Sequence, residues 1–119
     1  MKRIFISGKI TNESVMPCVH KFQKAATAIY IRNIGERLTQ HKLPEDLENY
    51  LEGNKVEAIN PLEIEGINFG IGREYAMILC LDELKYCDAI YMLKDWERSD
   101  GAKEEHQFAL DNGLKIFYQ

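Results

Sequence analysis

Asp88-Ala89-Ile90-Tyr91-Met92-Leu93 runs into Lys94-Asp95-Trp96-Glu97-Arg98 and then into Ser99-Asp100-Gly101-Ala102, and the fold turns on how these residues divide. The apolar run 89–93, led in by Cys87-Asp88, has the length and composition of a buried strand. Ser99 and Asp100 are N-cap residue types, and Ala102 to Asn112 reads as a helix with Gly113 as its C-cap. Ile116-Phe117-Tyr118 then forms a second β-rich run. A strand, a helix and another strand in so short a span make a parallel βαβ unit.

Working upstream, Arg73 to Lys85 carries Tyr75, Ile78, Leu79, Leu81 and Leu84 at helical spacing. Before it, Val56-Glu57-Ala58-Ile59 is a strand ending at Asn60-Pro61, and Ile4-Phe5-Ile6 is another ending at Ser7-Gly8. Between these two strands Val19, Phe22, Ala26 and Ile29 fall on one face of a helix that is expected to reach about Leu38. Pro44-Glu45-Asp46 opens a short acidic helix through about Leu51, closed by Gly53-Asn54, and residues 40–54 read as an insertion. The order β-α-β-α-β-α-β predicts one α/β domain over residues 1–119. Its parallel sheet of four or five strands is covered by helices on both faces, with right-handed crossovers. Ligands of such sheets bind beyond the carboxyl ends of the strands where strand order reverses, which points to Ser7-Gly8 and to Lys94 through Gly101.

Composition narrows the function classes. The chain has 119 residues, 45% hydrophobic and 29% charged, with three prolines and eight glycines, so disorder, collagen and coiled coil are excluded. Fifteen Lys and Arg against nineteen Asp and Glu leave a net charge of −4, which gives no general attraction to a nucleic-acid polymer or an anionic membrane. Cys18, Cys80 and Cys87 are odd in number and lack C-x-x-C spacing, which argues against disulfides and zinc. His20, His41 and His106 show no ligand spacing either, so no metal or cofactor is expected and the histidines read as surface residues. Met1-Lys2-Arg3 leads into only three apolar residues, and the longest apolar run, Tyr75 to Leu81, falls well short of the ~20 residues of a membrane helix. The expected location is the cytoplasm.

Two phosphate-binding motifs fail. A P-loop ending at Gly8-Lys9 needs glycine where Arg3 stands, and the dinucleotide fingerprint from Gly70-Ile71-Gly72 needs glycine where Tyr75 stands. The opening of the last helix remains. Free backbone N–H groups and the positive dipole end at Ser99-Asp100-Gly101 suit a phosphate or carboxylate, and Gly101 permits close approach. The same residues equally describe an ordinary capped helix, with Glu104 and Glu105 offsetting the macrodipole.

Four blocks taken together resemble the nucleoside 2-deoxyribosyltransferase-like family, most closely its small branch of bacterial and phage proteins. They are Phe5-Ile6-Ser7-Gly8-x-Ile10-Thr11, Ile59-Asn60-Pro61, Cys87-Asp88-Ala89-Ile90-Tyr91 with Trp96, and Ser99-x-Gly101-Ala102-x-x-Glu105. The resemblance implies a Rossmann-like (flavodoxin-like) sheet and cleavage of the N-glycosidic bond of a nucleoside or nucleoside 5′-monophosphate, by hydrolysis or transfer. It implies Glu105 as the catalytic nucleophile on the anomeric carbon. Ser7, Gly8, Lys9 and Ile10 after the first strand, with Trp96, Ser99 and Gly101 after the third, would bind substrate. A carboxylate suits this chemistry because it stabilises an oxocarbenium-like transition state and then traps it as an ester. Serine at position 99, where the transferases carry aspartate, can donate to a phosphate and so favours a monophosphate. Sites of this family are completed by a neighbouring subunit, so a homodimer is the simplest expected assembly, and Tyr30, Ile31 and Ile34 give the first helix apolar surface for it.

Two positions depart from the family pattern. Phe5 stands where a tyrosine contacts the nucleophile, and Cys80 stands where an aspartate acts on the leaving base. Asp82 is turned about 200° from Cys80 on a helix, whereas Glu83 is within about 60° of it and displaced by almost a turn. These departures support a second expectation: a nucleotide-binding or sensing protein of the same fold with impaired catalysis.

Overall fold

The computed structural model describes residues 1–35, 42–68 and 70–119. Four strands, β1 (Lys2–Ser7), β2 (Val56–Ile59), β3 (Ala89–Met92) and β4 (Lys115–Tyr118), form one sheet in the order β2-β1-β3-β4. All three pairings are parallel, with Phe5 opposite both Ile59 and Ile90, and Tyr91 opposite Phe117. Strands buried on both faces must be apolar throughout, and residues 4–7 and 89–92 are buried without interruption.

The four α-helices are α1 (Val15–Asn33), α2 (Glu45–Gly53), α3 (Arg73–Leu84) and α4 (Asp100–Asp111). Side chains of β1 alternate between two cores. Ile4 and Ile6 join Cys18, Phe22 and Ile29 of α1 and Leu47 and Leu51 of α2, while Phe5 packs with Cys80 and Leu84 of α3 and Ala102 and Ala109 of α4. The doubly wound α/β architecture is therefore the observed one. Its β1-to-β2 crossover runs one way across the sheet and its β2-to-β3 crossover runs the other, so helices of one hand must lie on opposite faces.

Element boundaries differ in ways the packing explains. Helix α1 begins at Val15, four residues before Val19, because Pro17 fits a first turn whose N–H groups lack intrahelical partners. Its core stripe is Cys18, Phe22, Ala25 and Ile29, with Val19 and Ala26 only half-buried on its flank. It ends at Asn33, with Gly35 at φ +84° taking the left-handed cap, and Leu38 lies outside the described residues. On α3 the buried stripe is Met77, Cys80 and Leu84, whereas Tyr75 and Ile78 are more than half exposed. Helix α2, within the segment read as an insertion, contributes fully to the first core: Leu47 is completely buried and the Tyr50 and Phe117 rings lie 5.3 Å apart. It covers the β3–β4 side of the face on which α1 covers β1 and β2. No helix among the described residues is long and apolar enough to cross a membrane.

Phe22 is completely buried between α1 and the sheet, whereas Tyr30, two turns on, is 64% exposed. Phe22→Ala is expected to lower the unfolding free energy by ~3–5 kcal/mol in urea titrations, and Tyr30→Ser to change it by under about 0.5 kcal/mol.

Candidate active site

The site is built where β1 and β3 end side by side. Ser7 closes β1 and is completely buried, and Leu93 N–H donates to its carbonyl at 2.8 Å. Gly8 follows. A Cβ at Gly8 would lie 3.0 Å from Leu93 Cδ1 and 3.1 Å from Asp95 Oδ1, so a side chain there would push the two strand ends apart. Asp95 secures the approach by accepting from Lys9 N–H at 3.0 Å and pairing with the Lys21 ammonium, which also donates to the Lys9 carbonyl at 2.5 Å. Burial works to raise the Asp95 carboxyl, but the Lys21 and Lys9 hydrogen bonds outweigh it and hold the group below its ordinary range.

Glu105 lies on the stripe of α4 that faces the sheet, between Ala102 and Ala109, and is only 6% exposed. A carboxylate at such a position needs donors. Ser7 Oγ donates to Glu105 Oε1 at 2.5 Å, and the Cys80 thiol of α3 is a second hydrogen-bond partner. Burial pushes the Glu105 carboxyl up to about 7, the Ser7 and Cys80 hydrogen bonds pull against it, and the charge of neighbouring Glu104 adds to the rise. The Cys80 thiol is itself pushed far above its ordinary value by burial and by Glu105, so it is a neutral donor.

A cavity of about 390 Å³ opens over this carboxyl, within the range of small-molecule sites. The segment after β1 supplies Gly8, Ile10, Thr11, Asn12 and Glu13, with Val15 at the start of α1. The approach to α3 supplies Ile67, Asn68 and Ile71; α3 itself adds Arg73, Ala76, Met77 and Cys80. The start of α4 completes the wall with Ser99, Gly101, Ala102 and Glu105. Ser99 is the N-cap of α4: its Oγ accepts from Ala102 N–H at 3.1 Å, which leaves its own O–H free to donate. Arg73, the first residue of α3, pairs with Glu104 at 2.8 Å on the rim.

Of the residues singled out from sequence, Gly8, Ile10, Ser99, Gly101 and Glu105 line this one cavity, and Ser7 holds Glu105 from beneath. Lys9 and Trp96 are not in the lining. The Lys9 ammonium lies 3.8 Å from Glu13, and Trp96 stacks on His106 with centroids 4.4 Å apart, beside Tyr118. His106, expected on the surface, is half-buried in that ring cluster and bonds Tyr118 Oη at 2.7 Å. Asn60 caps a short turn over Pro61–Glu63 through Leu62 N–H at 3.0 Å. Glu83 is removed as a substitute carboxylate because it is bound to the Arg3 guanidinium near the amino end of β1. No sequence signal assigns Glu13 or Arg73 to the site; nothing there relates Arg73 to Glu104, 31 residues away. Among the described residues no group of three or more His, Cys, Asp or Glu is placed to hold a metal ion.

These features define a doubly wound α/β protein with a carboxyl-bearing cavity at its topological switch point. The chain belongs to the DUF4406 family, a domain of unknown function whose model matches residues 2–118. No curated protein and no solved structure matches it.

The Glu105 environment carries a testable consequence for stability. The folded protein holds this proton up to about pH 7, the unfolded chain only to about 4.5, so between these values the folded state binds more protons and stability falls as pH rises. The unfolding free energy of the wild type is expected to lose on the order of 3 kcal/mol across that window. In Glu105→Gln that component is absent, and denaturant titrations at pH 5 and pH 7.5 measure the difference.

Proposed function

We propose that this protein cleaves the N-glycosidic bond of a nucleoside 5′-monophosphate, by hydrolysis or by transfer of the sugar, with Glu105 as nucleophile. The observation that carries this reading is the Glu105 carboxyl, buried against Ser7 and Cys80 yet facing a small-molecule cavity beside the start of α4. It agrees with the sequence resemblance to nucleoside 2-deoxyribosyltransferase-like proteins.

The phosphate would sit at the α4 terminus, where backbone N–H groups and the free Ser99 O–H can donate to it and Gly101 leaves room. Arg73 on the rim supplies a guanidinium. Glu105 lies six residues on from Ser99, so a sugar held at its 5′ end by the helix terminus would have its anomeric carbon near the carboxylate. An ionised Glu105 attacks C1′ as the bond to the base breaks and its electron pair leaves with the base. Water, or an incoming base, then displaces the ester, and Glu105 departs as a carboxylate steadied by the Ser7 hydroxyl and the Cys80 thiol. With its carboxyl near 7, Glu105 is ionised in about half of the unliganded molecules at neutral pH.

A second reading, a nucleotide-binding protein without turnover, is favoured by Phe5, which is completely buried and offers Glu105 no hydroxyl. One experiment separates the two. With a panel of nucleosides and their 5′-monophosphates, Glu105→Gln is expected to abolish chromatographically detected base release while calorimetric affinity stays within about tenfold, or ~1.4 kcal/mol. Ser99→Asp should weaken monophosphates and spare nucleosides. Tight binding with no base released by the wild type itself would establish the second reading.

A further inference from the structure

Departure of a neutral base from a sugar calls for a proton, because the leaving nitrogen takes both electrons of the glycosidic bond. Among the described residues of the cavity wall, the proton carriers are already engaged. The Ser7 hydroxyl is bonded to Glu105 at 2.5 Å, and the Cys80 thiol is hydrogen-bonded to the same carboxyl. Glu13 is ion-paired with Lys9 at 3.8 Å, and Arg73, a permanent cation, with Glu104. Thr11 and Ser99 carry only alcohols.

A base that is already cationic needs no such proton. It departs neutral when it takes the electron pair. Its charge would also act on the nucleophile, since a cation within ~4–6 Å favours the ionised form of a carboxyl. Glu105 is otherwise opposed by burial and by Glu104, and such a substrate would draw it into its reactive state on arrival. The wall fits a flat cation: Glu105, once ionised, provides a negative charge that no cation among the described residues balances, and Ile10, Ile71 and Met77 provide apolar surface for a ring.

Resting on the N-glycosidic reading above, we infer that the preferred substrate class is a nucleotide with a quaternised heteroaromatic base, a pyridinium ribonucleotide being the simplest. The balance is complete without a general acid. The C1′–N bond breaks and its electron pair neutralises the pyridinium as a Glu105 oxygen bonds C1′. Water then attacks C1′, the ester bond returns its electrons to Glu105, and one proton goes to solvent. The products are a neutral pyridine, a sugar phosphate and H⁺.

The test uses the wild-type full chain and four probes: nicotinamide mononucleotide, its reduced dihydropyridine form, and the adenine and uracil 5′-monophosphates. The first two share sugar and phosphate and differ in the charge of the ring. Because general acid catalysis contributes roughly 10²–10⁴-fold, kcat/KM for the pyridinium is expected to exceed that for each uncharged base by at least about a hundredfold. Cys80→Asp, which puts a carboxyl in place of the thiol, should raise adenine or uracil release by about a hundredfold. The wild-type comparison stands even if that variant fails to fold. Equal or faster release of uncharged bases would overturn the substrate class and leave N-glycosidic cleavage in place. No base released from any probe would overturn both.

Discussion

β1 is an inner strand from which the chain winds both ways, and this reversal of direction sets the conditions for everything else. Helices α1 and α3 must pass on opposite faces, so the carboxyl ends of β1 and β3 are left uncovered between them. An uncovered gap at the end of a buried sheet exposes backbone groups that need partners. The chain supplies them with little material: Gly8 brings the strand ends together, and Lys21 and Asp95 tie α1 and both loops to one point. The cavity is what remains of the gap once that tie is made.

Asp95 and Glu105, two carboxyls near one end of the sheet, show how partners rather than burial decide a charge. Asp95 faces an ammonium and a backbone N–H, so it stays ionised and structural. Glu105 faces only a hydroxyl and a thiol, donors too weak to offset desolvation, so its proton equilibrium falls near neutrality. Replacing the Glu105 carboxyl with an apolar group of similar volume would suit the α4 core stripe better. A carboxyl in so buried a position is the feature on which the proposed chemistry rests.

The inner strands were legible because a parallel sheet covered on both faces demands unbroken apolar runs, as residues 4–6 and 89–93 are, whereas Val56-Glu57-Ala58-Ile59, an edge strand with Glu57 exposed, was marked by its β-rich ends and by the Asn60-Pro61 stop. Helix faces were less so. Val19, Phe22, Ala26 and Ile29 satisfy helical spacing as well as Cys18, Phe22, Ala25 and Ile29 do, and only contact with the sheet chooses the second set. On α3, Tyr75 and Ile78 share an apolar pattern with Met77 and Cys80, but Met77 and Cys80 are the pair on the side that meets α4. Of the candidate site, Ser7, Gly8, Ser99 and Glu105 could be read because they stand at strand ends and a helix start. The Cys80 bond to Glu105, the Lys21–Asp95 tie and the Arg73–Glu104 pair join residues far apart in sequence, and no local spacing encodes them.

Glu104 and Glu105 show how finely a helix divides roles between neighbours. Successive residues point about 100° apart, so when one carboxylate is buried against β1 the other must look outward. Glu105 takes the inner direction and Glu104 reaches Arg73 on the rim, where both side chains are near half exposed and a pair of this kind is worth under about 1 kcal/mol. A bond so weak holds the guanidinium near the mouth without committing it. On the proposed reading, an incoming dianionic phosphate would compete for Arg73 with two charges against one, and its arrival at the α4 terminus would leave Glu104 to water at little cost. The rim pair is therefore suited to holding a cation in readiness, and the buried carboxyl beneath it to meeting what that cation admits.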